Sequence, residues 1–141
     1  MDTDEWSRRR REAAGAHAEA LDRRRRADAR RAQEMLDGFA AAAAAAGLPA
    51  EALRVQGYGG RGSARTDTTG WYLRADRTVA VGTDGSFYVL TARLSVTDRL
   101  RGVTLRPAEP PLVIGSGGKD GDSIDLATAL GRLLPGWGAR D

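Results

Sequence analysis

The run GSGGKDGDSIDL, Gly115 to Leu126, sets three carboxylates, Asp120, Asp122 and Asp125, beside the only lysine of the chain, Lys119. It follows a short apolar run, PLVIG, and leads into a helical pattern. Glycine-rich turns between a strand and a helix are where phosphates often bind, through free backbone N–H groups and the helix dipole. The pattern and charge here oppose that use. A P-loop needs Ser or Thr after the lysine, and Asp120 stands there instead. The carboxylates would repel an anion at the helix N-terminus. They suit capping better, with Asp122 or Ser123 as the cap and Asp125 favourable in the first turn. A cation is the second candidate. GGKDGDSID follows a calcium-binding nonapeptide repeat except at Asp120, where the repeat has glycine, but such sites need stacked copies and the chain holds one. The EF-hand spacing also fails, because Ile124 falls on its third ligand position. The expectation is a helix start first, and a small-ligand or cation site at 115–125, with Lys119, Asp120 and Asp122 as contacts, only second.

The run GYGGRGSARTDTTGW, residues 57–71, carries a different chemistry. Arg61 and Arg65 suit phosphate or carboxylate, and Tyr58 and Trp71 suit stacking on a base or ring. The alternative is a polar surface connection whose flanking aromatics belong to the core.

Catalytic parts are scarce. With no cysteine, disulfides, thiolate metal sites and cysteine nucleophiles are excluded. The one histidine, His17, lies in the polar half of a long helical segment, with no second histidine to share metal or proton chemistry. No HExxH, GxSxG or dinucleotide fingerprint occurs. No catalytic residue, cofactor site or metal site is therefore assigned, and the expectation is a protein that is not an enzyme.

The elements that must position these residues divide the chain in two. Residues 1–47 form one charged segment, with ten arginines against nine acids and no proline. Opposite charges recur four apart at Asp4–Arg8, Glu5–Arg9, Glu19–Arg23, Asp22–Arg26 and Arg30–Glu34, and Ala, Arg and Glu favour helix. A single helix over 4–46 is expected, ended by Gly47 and Pro49. Its apolar stripe, Ala14, Ala18, Leu21, Ala32, Met35, Phe39 and Ala43, is broken by Arg25 and Asp28. Residues 32–46 are therefore expected to pack on the core and residues 1–31 to project.

Residues 48–141 hold most of the large apolar side chains and form the globular part. Short β-rich runs occur at Leu53–Val55, Trp71–Leu73, Thr78–Val81, Phe87–Leu90, Val103–Leu105 and Leu112–Ile114. Residues 57–70 read as a loop. Asp84-Gly85 between two such runs is a strong hairpin signal. Residues 94–101 fit a helical turn or an extended segment. A last helix spans 123–134, with Ile124, Ala127, Leu130 and Leu134 on one face. The expected fold class is α+β: a long N-terminal helix, an antiparallel β-meander of four to six short strands, and a C-terminal helix packed on the sheet.

The formal net charge is only +3, and four consecutive arginines point in all directions around a helix. Duplex-type binding needs uncompensated charge on one face, so nucleic acid is a candidate but not the favoured one. The favoured reading is a non-enzymatic binding or adaptor module whose N-terminal helix meets a protein partner or a second copy. The alternative is a nucleic-acid-associated protein using helix arginines with Arg61 and Arg65. No secretory signal or membrane span is read, and a cytoplasmic location is expected. The arginine-for-lysine bias, with abundant alanine and glycine, suggests a high-GC bacterial genome.

Overall fold

The computed structural model describes residues 2–115 and 122–138. The architecture is α+β. The first helix, α1, runs unbroken over Thr3–Ala46. At about 1.5 Å per residue it is roughly 66 Å long. The Asp2 side chain caps it by accepting the Glu5 N–H at 2.7 Å. Gly47 ends it at φ +69°, a conformation that side chains resist, and the Leu48 N–H closes back on the Ala43 carbonyl. Ion pairs along it include Glu5–Arg9, Asp22–Arg26 and Asp22–Arg25.

The strands are β1 (Glu51–Gly57), β2 (Ser63–Tyr72), β3 (Val79–Gly82), β4 (Phe87–Val89) and β5 (Thr91–Ala92). They lie in the order β4-β3-β2-β1-β5. The meander β1 to β4 is antiparallel throughout, and β5 joins β1 in parallel. The sheet is thus mixed, where the short connections had suggested an antiparallel one. The helix α2 (Val96–Arg101) resolves the ambiguous segment, through a capping box of Ser95 and Asp98. A second, two-stranded sheet pairs β6 (Val113–Ile114) with β7 (Ile124–Asp125), and α3 follows over Leu126–Leu133.

Three local expectations are corrected. Residues 57–70 are not a loop: a 3-10 turn at Tyr58–Gly60 leads into the ten-residue β2. Thr66 and Thr68 are half-buried while Arg65, Asp67 and Thr69 are exposed, so polar threonines sit where an apolar alternation would have announced a strand. Val103 makes only an isolated bridge to Thr66, so 103–105 is not a strand. The last helix begins at Leu126, because Ile124 and Asp125 pair with Ile114 and Val113. Asp125 becomes the N-cap position without a side-chain cap bond, and Ala127 turns to solvent while Leu126, Ala129 and Leu130 are buried.

The sheet is covered on both faces. On one, Ala32, Leu36, Phe39, Ala40 and Ala43 of α1 pack with Leu126 and Leu130 of α3 over Trp71, Val81 and Phe87. Phe39 is fully buried, edge-on to Trp71 with ring centres 5.5 Å apart and to Trp137 at 6.1 Å. The other face is a smaller cluster of Leu53, Val55, Ala80, Tyr88 and Leu90, closed by Leu94, Val103 and Leu105. Gly70 lets β2 and β3 approach: a Cβ there would lie 2.2 Å from the Val81 carbonyl oxygen.

Candidate functional site

Two surfaces carry the groups singled out by the sequence. The first is the N-terminal part of α1. Burial begins only at Ala32, and from Asp2 to Arg31 no side chain is buried. Trp6 is 50% exposed and Leu21 52%, and the Arg10 guanidinium lies 4.5 Å over the Trp6 ring. His17 is exposed and belongs to this segment. An ion pair reaches back to the globular part: Arg25 donates to Glu109 at 2.6 Å while also holding Asp22 at 2.5 Å. The Arg25 hydrogen bond holds the Asp22 carboxyl below its usual range, with Arg26 adding to it against desolvation. The same bonds, from Asp22 first and Glu109 second, push the Arg25 guanidinium further up. Beside this ion pair, Leu21, Ala29, Pro110, Pro111 and Leu112 line a groove of about 480 Å³.

The second surface is the β1–β2 hairpin with its neighbour α2. Tyr58 is exposed in the 3-10 turn, Arg61 ends that turn, and Arg65 is exposed on β2. Arg65 stands directly opposite Arg54 of β1 in the register. Sequence reasoning passed over Arg54, because only the pairing register brings it beside Arg65. That register shifts between Ala52 and Arg54, and side chains complete the interrupted ladder. The Thr66 hydroxyl donates to the Leu53 carbonyl at 2.7 Å, and the Arg54 N–H donates to the Tyr72 hydroxyl at 2.9 Å. The Arg54 guanidinium donates to the Ser63 hydroxyl at 2.8 Å. From α2, Arg99 lies against Gly62, where its Cδ would stand 2.7 Å from an added Cβ. Arg101 joins Arg65 in lining a small groove of about 210 Å³. Among the described residues, none of Arg54, Arg61, Arg65, Arg99 and Arg101 makes an ion pair.

The remaining candidates are placed apart from this surface. Trp71 is 5% exposed and donates its indole N–H to the Leu48 carbonyl at 3.3 Å, so it is a core residue with no free face. Asp122 is exposed, and its backbone carbonyl accepts from Arg74 at 3.0 Å. Lys119 and Asp120, with most of the 115–125 run, lie outside the described residues. Asp122 and Arg74 border a groove of about 660 Å³ that also includes Asp76, Ser123 and Arg132. Burial opposes ionisation of Asp76, but hydrogen bonds from the Thr78 hydroxyl and N–H, and then the Arg74 guanidinium, hold its carboxyl below the usual range. No three metal-ligating side chains converge among the described residues. No helix among them is long and apolar enough to cross a membrane. No family model, curated protein or solved structure matches the chain.

Proposed function

We propose that the protein is a non-enzymatic binding module in which the N-terminal part of α1 pairs with the same helix of a second copy. One observation carries this reading. The helix continues for some 30 residues before Ala32 without burying a side chain, yet displays Trp6 and Leu21. Helices gain most of their stability in proteins from packing an apolar face, and a partner would supply that packing.

The charge order supports a second copy as the occupant. Asp2, Asp4 and Glu5 come first, then Arg8–Arg11 followed by Glu12, then Glu19 and Asp22, then Arg23–Arg26 followed by Asp28. An antiparallel pair with its two-fold axis near Gly15 sets each basic block against an acidic one: Arg8–Arg11 meet Glu19 and Asp22, and Arg23–Arg26 meet Asp4 and Glu5. Such self-complementarity is what a two-fold interface requires. Near the crossing, Ala13 and Ala14 lie on the Trp6 side of the helix at about 100° per residue, and their small side chains let two helices approach closely. Arg23 and Arg24 make no ion pair among the described residues and are free to meet the other copy.

Charge reversal tests the arrangement. Light scattering on the full chain is expected to show that Arg23→Glu with Arg24→Glu lowers the dimer fraction. Adding Asp4→Arg and Glu5→Arg restores it. Equal mass for all three proteins overturns the proposal.

A further inference from the structure

We propose a second, independent binding site: the arginine face of the β1–β2 hairpin, with Tyr58 at its tip, binds single-stranded nucleic acid. The site differs from the helix arginines in charge and in rigidity. On α1, Asp22 neutralises Arg25 and Arg26, and ten arginines are spread among nine acids. On the hairpin, Arg54 and Arg65 are directly opposed on one side of a two-stranded ladder. Side chains directly opposite on neighbouring strands sit about 5 Å apart at Cβ, and like charges there are destabilising. An unrelieved cationic pair held by backbone pairing is a place where an anion stabilises the fold as it binds.

The surroundings extend that pair into a track. Arg61 lies in the connection of the same hairpin, Arg99 is braced against Gly62 of that connection, and Arg101 shares the groove beside Arg65. The acids nearby are few and mostly engaged. Asp98 accepts the Ser95 N–H at 2.9 Å in the α2 capping box, and Asp76 accepts from Thr78 and Arg74. Asp67 shares the groove with Arg65 and Arg101, and Glu51 is exposed at the far end of β1. Several guanidiniums in a row exceed what one phosphate needs and fit a phosphodiester chain. Tyr58, 62% exposed at the end of the row, supplies a face on which a base can stack. A cationic track with an aromatic platform is the usual chemistry of single-strand binding. Its sequence preference should be low, because stacking and phosphate contacts read no base edges.

The test is fluorescence anisotropy of a labelled 20-nucleotide poly-dT with the full-length protein across a salt series. The expected result is binding that weakens steeply with salt. Arg54→Gln with Arg65→Gln should weaken it by about tenfold or more and make the log–log salt slope shallower by about 1.4, the loss of two phosphate contacts on a single strand. Tyr58→Ala should weaken binding with the salt slope unchanged. Replacing the exposed Arg30 and Arg31 by Gln on the helix should leave affinity within about twofold, since those residues lie outside both the track and the paired charge blocks. The hairpin double variant removes a repulsion, so its fold is expected to persist, and a melting curve checks this. Absence of poly-dT binding, an unchanged affinity in the double variant, or equal affinity for a duplex of the same length overturns the proposal. Failure of α1 to self-associate leaves this site intact, and the converse also holds.

Discussion

Arg54 and Arg65 face each other across the β1–β2 ladder, and among the described residues neither makes an ion pair. The pair follows from a register shift in which Thr66 and Tyr72 side chains take over ladder hydrogen bonds. Replacing one member relieves a cross-strand repulsion. Arg65→Thr is expected to stabilise the fold by about 0.2–1 kcal/mol at low salt. Thermal melts should show the gain shrinking as salt screens the wild-type pair.

Phe39 joins the long helix to the sheet. It is fully buried between Trp71 and Trp137. Phe39→Ala should cost about 3–5 kcal/mol through lost burial and a cavity. Denaturant unfolding followed by tryptophan fluorescence measures it, and a cost below about 1 kcal/mol would contradict the packing described.

Gly70 allows β2 to meet β3. The added methyl of Gly70→Ala would press on the Val81 carbonyl. A loss of about 1–3 kcal/mol is expected, typical of overpacking. The same change at Gly15, where nothing lies within 4 Å, should be neutral or stabilising in the fold.

Asp76 makes stability depend on acid. Its carboxyl is held below the usual range in the folded protein. The stabilisation is therefore complete above the unfolded value of about 4 and is lost as pH falls through the folded value. Asp76→Asn should lower Tm at neutral pH and flatten the acid side of the Tm–pH curve. An unchanged acid limb would show that the Thr78 and Arg74 contacts do not favour the charged form.

The parts of this fold that local chemistry controls were legible in the sequence. The long helix follows from alanine, arginine and glutamate spaced for i,i+4 pairs, and the Asp84-Gly85 turn announces β3 and β4. What escaped reading depends on partners distant in sequence. β2 looks like a loop because threonines occupy its inward positions, and only pairing with β1 and β3 makes a strand of it. Ile124 and Asp125 read as helix until Val113 and Ile114 are beside them. The hairpin arginines behave the same way. Arg61 and Arg65 stand out in a glycine-rich run, whereas Arg54, Arg99 and Arg101 join them only through register and the packing of α2. Trp71 could serve as a stacking platform or as core, and the arrival of Phe39 from α1 decides for core.

The measurement that bears most directly on the central claim is sedimentation equilibrium of the full-length protein over a range of micromolar concentrations. Pairing through the N-terminal part of α1 predicts a mass approaching twice the 15.0 kDa of one chain, returning to one chain when Trp6 and Leu21 are both replaced by Glu. A mass of one chain at every concentration, or a dimer that the Trp6→Glu and Leu21→Glu changes leave intact, would contradict it.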